Sequence, residues 1–249
     1  MKKILLSFIT FALLPTCLFA VDGQVLISQA SVTAAGGFPF VISQPGSYKL
    51  SGNLIPPGGR DAIHINSNDV TLDLNGFTIG FSACVPKNCS GTGYGVLVDP
   101  SHPYYHITVR NGGVSGMAVG VALNGDSFTV EDLHVQSSID AYGVFIYSSA
   151  ELNPSNVIVR RNTFDGGLAG LVVTGSPLVT ENAFSNGRWG AMIQGIEGGG
   201  LVSGNTFRRN TTAGLQIFQG GYSNNVFSAG GPTGGTNLGG NLCNSSLCP

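Results

Sequence analysis

The stretch VRRNTFDGG, residues 159–167, is repeated in outline three more times along the chain as VTENAF, VSGNTF and YSNNVF. Each copy has an apolar residue, an Asn three positions later and a Phe two positions beyond that Asn. Repetition at intervals of about 20 to 30 residues is typical of solenoids, in which one short unit stacks on the next. The repeat therefore predicts an architecture of stacked coils.

Seven such units can be aligned, and each contains two short strands. The first phrase of each unit is the repeat described above, and in two units the Asn is replaced by Gly or Leu. Its seven copies are Leu72-Asn75-Phe77, Val109-Gly112-Val114, Val130-Leu133-Val135, Val159-Asn162-Phe164, Val179-Asn182-Phe184, Val202-Asn205-Phe207 and Tyr222-Asn225-Phe227. The second phrase, a small residue before alternating apolar residues, begins at Ala62, Gly95, Gly120, Gly143, Gly170, Gly190 and Gly214. Copies stacked about 4.8 Å apart would enclose a continuous dry interior. The prediction is an all-β, parallel β-helix of about seven coils.

Stacking would place equivalent side chains directly above one another. Phenylalanines are then expected in an aromatic column: Phe164, Phe184, Phe207 and Phe227. Asparagines are expected in a ladder of amide hydrogen bonds: Asn162, Asn182, Asn205 and Asn225. A buried turn needs a side chain that can hydrogen-bond to its own copy, which explains why Asn recurs.

The composition agrees with a many-turned all-β protein. Hydrophobic residues make up 42% of the chain and charged residues only 10%, so the surface has to be built from Ser, Thr, Asn and Gly. The 38 glycines follow no G-X-Y period, which excludes collagen. The apolar runs between them argue against disorder.

The first 20 residues, MKKILLSFITFALLPTCLFA, predict a cleaved secretory signal and hence a secreted or periplasmic protein. A lipidated Cys17 is an alternative that the residues around it disfavour. No other segment approaches the length of a membrane span. Loss of Lys2 and Lys3 changes the formal charge from -2 to -4, which leaves no basic footprint for nucleic acid.

The four cysteines of the mature chain form two copies of C-x4-C, Cys84 with Cys89 and Cys243 with Cys248. This spacing could supply zinc ligands, but zinc sites usually have a tighter spacing. An exported chain meets an oxidising compartment, so two local disulfides are favoured.

The stretches PGSYKLSGNL and DAIHINSNDVTLDLNGFTI, together with the N-x-F coils, resemble secreted right-handed β-helix proteins of the pectate-lyase-like superfamily. The resemblance covers roughly Gly46 to Gly230. It implies a right-handed helix, a fold that in its relatives usually handles acidic polysaccharides. The expected organisation is a signal peptide (1–20), an N-terminal cap with the first strand (21–60), the parallel β-helix (61–228) and a Gly-rich C-terminal cap with a disulfide (229–249).

The outward positions of the first strand form a mostly apolar stripe, His64, Leu97, Ala122, Phe145, Val172, Met192 and Gln216. The next outward column is Asn66, Asp99, Asn124, Tyr147, Thr174, Gln194 and Phe218. An apolar outer stripe has to be covered by a loop, a partner chain or a ligand. Self-association and a sugar-stacking surface are both open.

The densest titratable cluster is predicted outside the second strand, and its candidate catalytic residues are Arg110, Glu131, Asp132, His134 and Arg160. A polyuronate lyase or epimerase has to neutralise a carboxylate and move a proton, which an Arg and a neighbouring Glu, Asp or His can do. A glycosidase would need two carboxylates at a fixed separation, such as Asp73 and Glu131. Alternating charges on stacked strands also arise from structural pairing alone.

Candidate substrate-binding residues lie in YGVLVDPSHPYYH, namely Asp99, His102, Tyr104, Tyr105 and His106. The stretch resembles the Asp-Pro-His-Asp motif of mannuronan C5-epimerases, in which the His and its flanking Asp serve proton transfer. Ser101 intervenes before His102, and Pro103 stands where the second acid belongs. A proline-bounded turn is the structural alternative.

The polygalacturonase triplets and the pectate lyase Arg-x-Pro-x-x-Arg motif do not occur in the chain. The sequence therefore indicates an exported protein that binds a polysaccharide and, in one interpretation, modifies it. A non-catalytic scaffold is the alternative. No cofactor or metal-ligand motif is evident, although Ca²⁺ is compatible with a uronate substrate.

Overall fold

The computed structural model describes residues 23–81, 92–147, 154–195 and 199–248. The predicted signal peptide, Cys17, Cys84 and Cys89 lie outside these ranges. Nearly every described element is a strand.

The elements of the first half are β1 (Gln24–Ile27), α1 (Gln29–Ala34), β2 (Phe40–Ile42), β3 (Gly46–Leu50), β4 (Ile63–Ile65), β5 (Val70–Asp73), β6 (Thr78–Gly80), β7 (Tyr94–Val98), β8 (Tyr104–Ser115), β9 (Val119–Ser137) and β10 (Tyr142–Tyr147). Those of the second half are β11 (Ile158–Arg160), β12 (Thr163–Gly166), β13 (Ala169–Thr174), β14 (Leu178–Thr180), β15 (Ala183–Ser185), β16 (Trp189–Gln194), β17 (Gly200–Ser203), β18 (Thr206–Arg208), β19 (Ala213–Ile217), β20 (Gly220–Ser223), β21 (Val226–Ser228), β22 (Pro232–Thr233), β23 (Thr236–Asn237), β24 (Leu242–Cys243) and β25 (Ser246–Leu247).

The strands stack in parallel register to form three long faces. Face 1 contains β2, β4, β7, the start of β9, β10, β13, β16, β19 and β22. Face 2 contains β1, β3, β5, the first part of β8, the middle of β9, β11, β14, β17, β20 and β23. Face 3 contains β6, the ends of β8 and β9, β12, β15, β18, β21 and β24. Each coil visits the three faces in turn, and the apolar residues between them form one core.

The predicted asparagine ladder is confirmed at the turn between faces 2 and 3. The backbone N–H of Asn162 donates to Oδ1 of Asn182 at 2.9 Å, and its side-chain amide donates to the same oxygen at 3.0 Å. The same pair of bonds joins each later Asn to the next, and the ladder continues one coil further than predicted, to Asn241. At its other end, Oδ1 of Asn162 accepts from the N–H of Leu133 at 2.9 Å. Buried turn groups are therefore satisfied without water.

The predicted aromatic column is confirmed as well. Neighbouring rings of Phe164, Phe184, Phe207 and Phe227 are stacked with centroids 4.8 to 4.9 Å apart and planes within 6° of parallel. This separation equals the usual distance between paired strands, so the rings follow the backbone spacing.

The small residue that opens each second phrase lies at the corner where the chain enters face 1. A Cβ on Gly170 would lie 2.9 Å from the Gly190 carbonyl oxygen, 2.9 Å from Cβ of Phe164 and 2.9 Å from a ring carbon of Phe184. These distances are too short for a side chain, so glycine is required where the corner meets the aromatic column.

The first aligned unit was predicted in the wrong register. Strand pairing places Ile79, not Phe77, beside Val114 in the core column, because the turn after Leu72 is two residues longer than in the following coil. Asn75 is exposed and donates its amide to the Leu50 carbonyl at 3.1 Å, so it stands outside the ladder.

The helix also has about eight turns rather than seven. The extra strands lie at the ends, where caps were expected, because β1 pairs with β3, β2 with β4 and β22 with β19 in the same parallel register. Short helix α1 lies beyond β1, and β25 turns back antiparallel on β24 at the other end. The predicted Cys243–Cys248 disulfide fixes that last turn.

Replacing Asn182 with Leu is expected to lower the free energy of unfolding by about 1–3 kcal/mol, because the N–H and amide groups of Asn162 lose their acceptor inside the protein. Chemical denaturation monitored by circular dichroism measures the difference. Thr180→Leu, on the outside of the same coil, is the control and should leave the midpoint nearly unchanged. An unaltered midpoint for Asn182→Leu would contradict the stabilising role of the ladder.

Candidate functional site

Charged residues alternate along the outside of face 2. The register places Lys49, Asp73, Arg110, Glu131 and Arg160 in one column, so that each charge has the opposite charge on the neighbouring coil. The sequence predicted the last four members of this column. Alternation of this kind is the arrangement that cross-strand pairing favours.

Glu131 of this column and the adjacent Asp132 are held by two arginines, Arg160 and Arg161. Nε of Arg160 donates to Oε2 of Glu131 at 2.7 Å, and Nη2 of Arg161 donates to the same oxygen at 3.0 Å. Arg161 also binds Asp132 through both of its oxygens, with Nε–Oδ1 and Nη2–Oδ2 distances of 2.8 Å. Glu131 is buried, with 11% of its side chain exposed, whereas the arginines are 40 to 44% exposed.

This pairing fixes the charge of the cluster. The hydrogen bond from Arg161 holds the pKa of Asp132 below its usual range, and the same contact raises the pKa of Arg161. A carboxylate with a lowered pKa is a weak base and carries no proton to donate near neutral pH. The geometry of Asp132 therefore favours a stabilising ion pair with Arg161 over a role in proton transfer.

Arg110 is the least satisfied member of the cluster. Its Nη2 is 3.3 Å from Oδ2 of Asp73, and its buried Nε has no partner among the described residues. Asp73 is also occupied, because its Oδ1 accepts from the N–H of Asn75 at 2.7 Å and from the amide of Asn111 at 3.0 Å. Arg110 is thus the candidate of this cluster with the longest ion-pair contact and with an Nε–H that has no partner among the described residues.

His134 does not join these residues. It lies beyond the ladder turn on the outside of face 3, where the register places it between Gly113 and Thr163. Its side chain is exposed. The structure therefore brings Arg110, Glu131, Asp132 and Arg160 together and places His134 on another face.

The second predicted group begins in the turn that leaves face 1. Oδ1 of Asp99 accepts from the N–H of Ser101 at 2.8 Å and from its hydroxyl at 2.6 Å, and the hydroxyl bond to Ser101 lowers the pKa of Asp99. The Ser101 oxygen is also 2.9 Å from Nδ1 of His102. Since the hydroxyl donates to the carboxylate, the His ring is not placed to remove its proton. Buried Asn124 donates to the carbonyls of Asp99, Pro100 and His102, which closes the turn.

The rest of this group leads into face 2. Tyr104 is half-buried against the core, and the Tyr105 N–H donates to Asn68 at 2.9 Å. His106 is exposed, and its Nδ1 is 2.9 Å from Oδ1 of Asp69 on the preceding coil. His106 and Arg110 are four residues apart on one extended strand, about 13 Å. The two predicted groups therefore lie at opposite ends of face 2 and do not form a single site.

Face 1 carries an aromatic patch that the sequence analysis only partly identified. The ring of Phe145 lies 5.4 Å from that of Tyr142 and 5.4 Å from that of Tyr147. Trp189 stands in the same column as Tyr142, two coils further on. All four side chains are partly exposed, and burial raises the pKa of Tyr147. Tyr142 and Trp189 could have been identified from the sequence, because each directly precedes a corner glycine, Gly143 or Gly190.

The apolar stripe has the predicted register, from His64 through Phe145 to Gln216. It exposes less apolar surface than expected. Leu97, Ala122 and Val172 face outward but are only 8%, 1% and 3% exposed. The most exposed apolar side chains of this face lie at its two ends, Val41 at 49% and Phe218 at 61%. Between the ends, the partly exposed apolar surface is that of the aromatic patch and Met192.

Within the described ranges, no three His, Cys, Asp or Glu side chains come together as a metal site. In the same residues, no helix has the length and apolar character needed to cross a membrane.

Comparison with protein families matches residues 119–236 to the family described as "Right handed beta helix region". No curated protein and no solved structure matches the chain. Together with the strand register, the family match defines the molecule as a right-handed parallel β-helix, as the sequence predicted, and it indicates no particular enzyme family.

Replacing Arg161 with Gln is expected to destabilise the protein most near neutral pH. The folded-state pKa of Asp132 is lowered, so its contribution is present above the unfolded value of about 3.9 and is lost as pH falls through the folded pKa. The difference in free energy of unfolding between wild type and variant should therefore shrink from pH 6 toward pH 2. Urea denaturation across this range measures it, with Lys49→Gln as the control. A difference that stays constant with pH would contradict the pairing.

Proposed function

We propose that this β-helix is an exported glycan-binding protein whose aromatic patch, Tyr142, Phe145, Tyr147 and Trp189, is the stacking platform. The observation that carries the proposal is the ring cluster on the outside of a rigid sheet, with Phe145 5.4 Å from each of its two tyrosine neighbours.

Aromatic side chains suit a sugar because a flat ring packs against the apolar C–H face of a pyranose and costs little conformational entropy. The platform rests on parallel strands whose inward residues are fully buried, so it is held in place before ligand arrives. Preorganisation of this kind lowers the entropic cost of binding.

Polar groups lie beside the rings, where sugar hydroxyls would be. The column that contains Tyr147 also contains Asn66 and Asp99 on one side and Thr174 and Gln194 on the other. Gln194, which is exposed, and Thr174, which is partly exposed, can hydrogen-bond to hydroxyls from this column. An apolar platform with a few hydrogen-bonding groups is the usual composition of a sugar site.

Export is supported by two observations. The first 20 residues have the charge and apolar pattern of a cleaved signal. The Cys243–Cys248 disulfide is a bond that persists in oxidising compartments. A secreted or periplasmic protein would meet glycans directly.

Lyase, epimerase or glycosidase chemistry on the bound glycan is less well supported than binding. The carboxylates of the face 2 cluster are occupied by Arg160 and Arg161, and His134 lies on a different face. The partly exposed guanidinium of Arg110, whose Nη2 is 3.3 Å from Oδ2 of Asp73, is the feature that favours uronate chemistry there.

A scaffold that self-associates through face 1 is the second candidate, favoured by the partial exposure of Phe145 and Met192. Its available surface is reduced by the burial of Leu97, Ala122 and Val172 in the same stripe. Sedimentation at increasing protein concentration distinguishes the two candidates, because Phe145→Asp would abolish a self-association that added glycan does not affect.

Binding can be followed by the intrinsic fluorescence of Trp189, the single tryptophan of the chain. Titration with a panel of neutral and acidic oligosaccharides is expected to change its emission. Phe145→Ala should weaken the affinity about two- to ten-fold, since loss of one stacking ring removes roughly 0.5–1.5 kcal/mol.

Leu201→Ala is the matched control, because Leu201 is an exposed apolar residue on face 2. It should bind as the wild type does. Fluorescence and calorimetry that both stay silent across the panel would refute glycan binding at this patch.

Catalysis is tested separately with the same panel, with and without Ca²⁺. Ultraviolet absorbance detects the unsaturated uronates that a lyase would form, and a reducing-end assay detects cleavage of glycosidic bonds. We expect Arg110→Ala and His134→Ala to leave glycan affinity at face 1 unchanged, because neither residue belongs to that face. Product formation that disappears in either variant would instead establish an enzyme with its site outside face 1.

A further inference from the structure

Two adjoining grooves run along face 3 and the corner that follows it. The first has a volume of about 730 Å³ and is lined by Ala183, Phe184, Ser185, Asn186, Thr206, Arg208, Arg209, Val226 and Ser228. The second, about 750 Å³, shares Asn186 and Arg209 with the first and contains Arg188, Asp140 and Asp165. Arg188 directly precedes Trp189 of the aromatic patch.

The arginines of these grooves are unpaired, in contrast to those of face 2. Arg188, Arg208 and Arg209 are exposed, and none makes an ion pair or side-chain hydrogen bond with another described residue. The register explains this, because the neighbours of Arg208 on the coils before and after it are Ser185 and Ser228, not acids.

Among the described residues, no acidic side chain lines the first groove. Asp165, a carboxylate of the adjoining groove, already accepts from the Ser185 hydroxyl at 3.2 Å and from the Asn186 amide. Two permanently charged guanidinium groups therefore face a groove whose remaining polar lining is hydroxyl and amide.

The kind of anion follows from the donors. Arg208 and Arg209 are consecutive, both line the groove, and the left-handed conformation of Arg209 (φ 52°) starts the turn there. The Thr206 hydroxyl, on the same strand as Arg208, and the Ser228 hydroxyl, on the next coil, add donors. Guanidinium and hydroxyl donors from two coils suit a tetrahedral oxyanion, whose three free oxygens accept from different sides, better than a flat carboxylate.

We infer that the Arg208–Arg209 groove binds a tetrahedral oxyanion, a sulfate ester or phosphate group carried by the glycan. The site deepens the proposed function, on which the identity of the carrier rests, because the groove leads toward Trp189 around the corner that contains Arg188. A glycan on the aromatic patch would reach the groove with a substituent one corner away.

The variants are chosen so that the fold is kept. Arg208→Ser introduces the residue that neighbouring coils use at this position. Arg209→Asn introduces the residue of the preceding coil, where Asn186 has the same left-handed conformation (φ 59°). Lys49→Gln removes a charge on face 2 and is the control for general electrostatic effects.

The anion site is tested first without any glycan. Nitrogen-15 NMR signals of the arginine Nε–H groups are assigned with the two variants and followed during titration with sodium sulfate, sodium phosphate and sodium acetate at constant ionic strength set by chloride. Sulfate or phosphate is expected to shift the Arg208 and Arg209 signals in a saturable way, and comparison of the two tells which group is preferred. Acetate that binds as tightly as both, or shifts no larger than those of chloride, would overturn the inference.

The carrier is tested with one sulfated oligosaccharide and its desulfated counterpart. The sulfated form should bind about two- to five-fold more tightly for each arginine that contacts it, and the double variant Arg208→Ser/Arg209→Asn should abolish the difference. Lys49→Gln should preserve it. Equal affinity of the two oligosaccharides for the wild type would refute the groove as a glycan-anion site.

The two proposals fail in different ways. A Trp189 fluorescence response to neutral glycans with no arginine response to sulfate or phosphate leaves glycan binding standing and removes the anion site. Saturable shifts of the arginine NMR signals, without a change in Trp189 fluorescence on addition of glycans, would support the anion site and remove glycan binding at the aromatic patch.

Discussion

The parallel register of neighbouring coils is the constraint on which the rest of this molecule depends. Each coil is hydrogen-bonded to the next along its three faces, and the Phe164–Phe184 ring separation of 4.8 Å shows that side chains keep the same spacing. Once the register is fixed, every residue has a copy of its own position above and below it. A side chain is therefore stable only if it can pack against, or hydrogen-bond to, the residue at that position in the next coil.

The asparagine ladder and the corner glycines are two results of this constraint. Asn satisfies it because its amide is donor and acceptor at once, so that Asn182 accepts from Asn162 and donates to Asn205. Glycine satisfies it at the corner because the neighbouring backbone and the phenylalanine column leave no room for a Cβ on Gly170. The ladder and the corner glycines thus lie at the two ends of face 3, whose strands contain the phenylalanine column.

This constraint also explains how much could be predicted from the sequence. Positions that repeat were predicted correctly, including the Asn162–Asn225 ladder and the Phe164–Phe227 column. In a stack, equivalent residues of successive coils are neighbours, so a repeat in the sequence identifies the contact.

Positions that do not repeat were missed. Phe77 was placed in the core because a turn two residues longer is invisible to an alignment on three residues. His134 was grouped with Asp132 because closeness in sequence hides the ladder turn between them. The platform formed by Tyr142 and Trp189 was overlooked because aromatic residues alternate with the smaller Val119, Ala169 and Ala213 in this column.

The same contrast separates the charged residues that stabilise the helix from those available to a ligand. On face 2 acids and arginines alternate from coil to coil, so that Glu131 lies between Arg110 and Arg160 and the charges are largely neutralised within the column. On face 3 Arg208 lies between two serines, and its charge has no partner in the column. Phe145 likewise lies between Ala122 and Val172, which leaves its ring accessible beside Tyr142 and Tyr147. In a solenoid, a side chain that packs against or pairs with the equivalent residues of the neighbouring coils stabilises the fold.

A side chain that differs in charge or size from those residues leaves a charge or an aromatic ring available to a ligand. In this molecule such side chains lie on face 1, on face 3 and at the corner between them.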